Sequence, residues 1–270
     1  MPSPRPGRRS ARSAVAALLL LSAVAYTAWV LEVVLSTGLD PVQAYISELA
    51  AEDQPLGGLF RATDLVAGLA VLAAATTALL SFDFHGPGPL HDPGSPRADP
   101  VRAGGHGARL WAMAGWAALA LFGAATAADS RLPLSCAPTS DEECAARETA
   151  GLVPATHTAH AVTSSLAMLG ALAGLTALTV AARRYGWWPP VRRFGPWLVL
   201  AELLATGWSL AAIAAFEAGH GTWSLGAGQR LQVLLVALWL ALLAFALARP
   251  DGAAAAPTGA RAGGERREPV

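Results

Sequence analysis

Six separate stretches of this 270-residue chain are long and apolar enough to cross a bilayer, and that constrains the fold more than any motif does. A hydrocarbon core about 30 Å thick takes roughly 20 apolar residues in helical form. Runs of that length lie at 14–35, 62–82, 108–128, 160–182, 196–216 and 229–248. The segments between them are rich in Pro, Gly and charge, and such backbone cannot cross lipid with its polar groups unsatisfied. Only 14% of residues are charged against 54% hydrophobic, too little charge to cover a soluble domain of this length. The fold class is therefore all-α: a polytopic six-helix transmembrane bundle at 14–248. A basic tail at 1–13 precedes it, and a disordered tail at 249–270 follows.

The first run has a second reading as a secretory signal, because Arg5, Arg8, Arg9 and Arg12 precede it and Ala23-Val24-Ala25 offers a small-residue cleavage site. A signal peptide stops being apolar near such a site. This run continues through Trp29, Val30, Leu31, Val33, Val34 and Leu35, which favours an uncleaved helix.

Arginine placement sets the expected orientation. All 19 basic residues are Arg, and 15 of them fall in the N-terminal tail, the second loop, the fourth loop and the C-terminal tail. The alternate loops hold only Arg61, Arg131, Arg147 and Arg230. Both termini are thus expected in the cytoplasm of a multi-pass cell-membrane protein. The only two cysteines, Cys136 and Cys144, bracket CAPTSDEEC in the third loop, which then faces outward where disulfides persist. A disulfide is expected there, since C-x7-C is not a usual zinc spacing and no further cysteine exists to complete a site. The formal net charge is zero, so no nucleic-acid footprint is implied; membrane lipids are the expected partners.

Polar groups gather at the same outer end as the cysteines. The first outer loop contains PVQAYISELA, in which Pro41 suits a first helical turn and Tyr45, Ile46 and Leu49 share a face, predicting a short amphipathic surface helix. Glu48 is then either solvated or a contact for a cation or headgroup. His157 and His160 are three apart, and Ser164 continues their face. With Asp129 or Asp64 they could hold a divalent metal, or they could simply cap the helix and hydrogen-bond Asp129 or the disulfide loop. Arg61 is expected to pair with Asp64, and Arg230 with Glu217 or Asp129. Glu202 stands apart: it lies inside the fifth run, with Thr206 and Ser209 at i+4 and i+7, so this stripe must face inward.

The stretches YISELAAEDQP, FRATD, DSRLPLSCAPTSDEEC, HTAHAVTSS and GAGQR together resemble the bacterial and archaeal six-helix membrane proteins grouped as domain of unknown function nine-nine-eight. The resemblance covers about residues 14–248 and implies an integral membrane protein with no assigned catalytic residues. The YISEL run, over about 30 residues, is also similar to the damage-regulated autophagy modulators and the membrane proteins of GPI-anchor remodelling. Three functions stay open: a protein that binds or organises lipid or a membrane partner through Glu48, Asp64, Asp129, His157, His160 and Arg230; a metal-assisted intramembrane hydrolase with His157, His160, Asp129 and Asp64 as ligands and Glu48 as general base; and a small transporter built on Glu202, Thr206 and Ser209.

Overall fold

The structure is a computed structural model; it describes residues 6–81 and 101–249, with side chains described for 10–81 and 107–249. The expected disordered tail beyond residue 249 and the Pro/Gly-rich loop at 82–100 lie outside the described residues, as do Arg5, Arg97, His85 and His91.

Every regular element among the described residues is helical: α1 (Pro6–Tyr26), α2 (Gly57–Ser81), α3 (Val101–Asp129), α4 (Glu142–Thr149), α5 (Ala155–Tyr185), α6 (Pro189–Glu217) and α7 (Leu225–Ala248). All but α4 contain a stretch long and apolar enough to span a membrane. α1 starts at Pro6 and carries the helix through Arg8, Arg9 and Arg12, so the expected boundary at residue 13 is not a structural one. Neighbours in the chain are neighbours in space: α1 packs on α2, α2 on α3, α3 on α5, α5 on α6 and α6 on α7. Helix α7 returns to α1, closing a ring.

Lipid supplies no hydrophobic force between helices, so close approach of small residues has to hold the ring together. On α2 the buried positions include Ala67, Ala70, Ala74, Ala75 and Ala78. Where α2 crosses α3, a Cβ on Gly68 would sit 2.6 Å from the Ala127 nitrogen; where α5 crosses α3, one on Gly170 would sit 2.6 Å from the Phe122 nitrogen. No larger residue fits without separating the helices. The large apolar side chains point the other way: Leu80 is 82% exposed and Leu204 67%. An outward apolar belt around an alanine-rich interior is the arrangement a lipid solvent selects.

The half of the bundle nearer the termini is filled by Leu19, Trp116, Leu119, Leu175, Leu178, Trp239, Leu240 and Leu243, all fully buried. Trp239 Nε1 donates to Thr179 Oγ1 at 3.1 Å, which satisfies its one polar group. The opposite end carries the connecting loops. There Cys136 and Cys144 form the expected disulfide, with Cα atoms 6.0 Å apart. Its acidic residues have a local role, because Asp141 caps α4 by accepting the Glu143 N–H at 2.9 Å while Glu142 and Glu143 occupy the first turn. Carboxylates favour that position at the positive end of a helix dipole.

The first loop departs from expectation. In place of a surface helix beginning at Pro41, it forms a turn followed by a 3-10 helix (Ile46–Ala50) whose Glu48, Leu49 and Ala50 are buried. Leu49, Ala50 and Phe60 form a small core of their own, with Trp29, Leu39, Ile46 and Leu56 against it. The loop is pinned by polar contacts: the Ile46 N–H donates to Gln229 Oε1 at 2.9 Å, and Arg61 Nη1 donates to the carbonyls of Ala50 (2.7 Å) and Ala51 (3.2 Å). Arg61 therefore serves the loop backbone, in place of the expected pairing with Asp64.

Candidate functional site

Two polar groupings occupy the interior toward the disulfide-bearing end. The shallower one is built where the end of α3 meets the second turn of α5. His160 Nδ1 lies 3.0 Å from the Leu132 carbonyl and 3.1 Å from Asp129 Oδ1. Both partners accept, so the proton is assigned to Nδ1. One turn deeper, Ser164 Oγ is 3.1 Å from each Asp129 oxygen and 3.3 Å from His160 Nε2. The Thr163 hydroxyl also donates to Asp129 Oδ1. Asp64 on α2 stands near enough to Asp129 for their charges to repel. Tyr26, stacked edge-on against Phe122 with ring centres 5.4 Å apart, lies within electrostatic reach of Asp64, Asp129 and Glu202. Asp64, Asp129 and His160 thus come together as the sequence suggested.

His157 does not join them. Its Nδ1 accepts the Ser135 N–H at 3.2 Å, which leaves the proton on Nε2, 3.3 Å from Glu148 Oε1. Ser135 Oγ is a further neighbour of Nδ1 at 3.0 Å. The ring ties the disulfide loop and α4 to the start of α5, and is 2% exposed. Among the described residues no three His, Cys, Asp or Glu side chains are placed to hold a metal. The expected ligand set of His157, His160 and Asp129 is not assembled, because each imidazole is committed to a different neighbour.

Glu48 and Arg230 are also committed. Glu48 is fully buried and accepts the Thr139 N–H at 2.8 Å and the Thr139 hydroxyl at 2.5 Å. Burial pushes its carboxyl up to about 7 in spite of those two bonds, with Asp53 and Glu148 adding to the rise. It is neither solvated nor open to a headgroup. Arg230 binds Glu32 in a bidentate pair, Nε to Oε1 at 2.6 Å and Nη2 to Oε2 at 2.7 Å, and its Nη1 donates to the carbonyls of Ala44 (2.9 Å) and Gly226 (3.2 Å). The expected partners Glu217 and Asp129 are not used. An acid inside the apolar run from Trp29 to Val34 needed a cation, and that was the available signal for this pair.

The deeper grouping lies between α5, α6 and α7. Glu202 is 13 residues from the start of α6 and 15 from its end, hence roughly 20 Å along the helix from either. Its exposure is 0%, and neither carboxyl oxygen has a hydrogen-bond partner. Thr206 one turn on accepts from Gln232 Nε2 at 2.9 Å, and the same amide reaches Met168 Sδ at 3.0 Å. Gln232 is also placed as a side-chain hydrogen-bond donor toward Glu202, without a well-formed bond to either oxygen. Ser209, 3% exposed with an unpartnered hydroxyl, faces α7, since a Cβ on Gly228 would sit 3.2 Å from its Oγ. The stripe of Glu202, Thr206 and Ser209 therefore faces inward as expected. Sequence reasoning missed Gln232, whose place opposite Thr206 depends on the register between α6 and α7.

With this geometry in place, the comparisons with known proteins add one finding. A family model described as "Protein of unknown function (DUF998)" matches residues 6–88 and 101–246, and the chain belongs to that family. No curated protein and no solved structure matches the chain.

Proposed function

We propose that this member of the family is a small membrane carrier that exchanges a proton for a small cation at Glu202. The observation that carries the reading is a fully buried carboxyl halfway along a membrane-spanning helix with neither oxygen bonded. A bare carboxylate in that position costs several kcal/mol, so it takes up a proton or a cation. The arginines described above are already spent, Arg230 on Glu32 and Arg61 on backbone carbonyls. The neutralising charge then comes from outside the protein, and two species competing for one carboxyl is exchange.

The alternative, that the loop-end acids and histidines organise lipid or a membrane partner, needs those groups at the surface. Glu48 and His157 are instead buried and bonded within the fold. The arginine asymmetry supports an orientation with both termini in the cytoplasm of a cell-membrane protein and the disulfide outside.

The test uses the full chain in liposomes enclosing a pH-sensitive dye, challenged with gradients of sodium, potassium and ethylammonium. The wild type is expected to change internal pH with at least one of these, and Glu202→Gln to abolish the change. A change that persists in Glu202→Gln, or no response to any of the three, refutes the reading.

A further inference from the structure

We infer that the Glu202 site is reached only from the disulfide-bearing end, through a polar passage that Gln232 gates. The inference rests on the carrier reading and specifies the route that reading requires. The passage is a sequence of contacts already described. Asp129 and His160 stand at the mouth, and Ser164 follows, donating to Asp129 and lying beside His160 Nε2. Met168 lies one helical turn beyond Ser164 on the same face of α5. Gln232 spans from Met168 Sδ to Thr206 Oγ1, and Glu202 lies one turn past Thr206. Polar groups therefore descend in order from the loop end to the middle of the bundle, ending at the buried Glu202 carboxyl, whose oxygens have no well-formed hydrogen bond.

Beyond that point the interior changes character. Leu175 and Leu178 on α5, and Trp239, Leu240 and Leu243 on α7, are fully buried and lie farther from the loop end than Met168 and Gln232 do on the same helices. Trp116, Leu119 and Leu19 complete this packing from α3 and α1. These buried side chains are apolar, and the Thr179 hydroxyl among them is taken by Trp239 Nε1, so they line no polar route for a hydrated ion. At the boundary between the polar and apolar halves sits Gln232, 2% exposed, with its amide bridging α5 and α6. Its amide is a side-chain donor placed toward Glu202. Turning the amide from Thr206 toward Glu202 opens the bridge and offers the carboxylate a hydrogen bond as its cation leaves.

Both native cysteines are in the disulfide, so an introduced cysteine is the only free thiol among the described residues. Single variants Glu202→Cys and Ser209→Cys are treated with a membrane-impermeant cationic methanethiosulfonate, applied to either face of sealed vesicles. Asp53→Cys reports the loop-end face and Arg184→Cys the opposite one; both positions are exposed. Glu202→Cys is expected to react only from the face that labels Asp53→Cys. Adding Gln232→Ala is expected to speed that reaction about tenfold by shifting the open population, and to leave Ser209→Cys, on the mouth side of the bridge, unchanged. General loosening of the bundle would speed both, and that result overturns the gate. Reaction from the opposite face, from both faces or from neither overturns the route. The carrier reading falls separately, on the behaviour of Glu202→Gln in the flux assay.

Discussion

Replacing Glu48 with glutamine should remove a pH dependence of stability whose sign and size follow from burial. The carboxyl sits at about 7 in the folded chain against an ordinary 4.5. Between those two values the folded protein holds a proton that the unfolded chain has released. The folded state then binds more protons, so stability falls as pH rises across this window. Below about 4.5 both states are protonated and above about 7 both are ionised, so the curve is flat on either side. A rise of that size corresponds to about 3 kcal/mol. Two effects compete, since burial raises the carboxyl while the two bonds from Thr139 lower it, and burial prevails. The assay is denaturation of detergent-solubilised protein from about pH 4 to about pH 8, with wild type minus Glu48→Gln taken at each point. That difference should decline by about 3 kcal/mol. In Thr139→Val the decline should extend above pH 7, because the opposing bond from the hydroxyl is gone. A flat difference would show that Glu48 is solvated after all. One rising with pH would show that the Thr139 bonds outweigh burial, and either result refutes the reasoning.

Arg230→Ala leaves Glu32 buried without its cation and should cost about 3–5 kcal/mol, whereas Glu32→Gln combined with Arg230→Met should recover most of that because both charges leave together. Denaturation in detergent checks this, and a double variant as unstable as the single one would contradict it. Reduction of the Cys136–Cys144 bond closes no new contact but frees the unfolded chain, and should lower stability by roughly 2–3 kcal/mol. Denaturation midpoints with and without dithiothreitol measure it; coincident midpoints would show that the loop is held by Glu48 and His157 alone.

What could be read from the residues was set by solvent, and what could not was set by pairing. The six spans and the inward stripe of Glu202 follow from what lipid excludes, which composition and helical spacing already express. The Cys136–Cys144 bond was legible because no other sulfur competes for either partner. Asp129 and His160 could be named from the sequence as possible partners, but whether they meet depended on the order of the helices. Glu32 with Arg230, Ile46 with Gln229 and Glu48 with Thr139 were not legible, since these partners are 198, 183 and 91 residues apart. Their meeting depends on how the ring closes. The local rule also failed at Glu48 itself: helical spacing put it on a polar face, but the 3-10 turn rotated it into the core.

The bidentate link between Glu32 and Arg230 joins the first membrane helix to the last, and this has a consequence for biosynthesis. At ribosomal speeds of about 5–20 residues per second, roughly 10–40 seconds separate the emergence of the two residues. Throughout that interval the acid waits without its counter-ion, sheltered by the insertion machinery or by headgroup water. A nascent chain halted before α7 lacks Arg230 altogether, so its first membrane helix keeps an acid without the cation that neutralises it in the finished bundle.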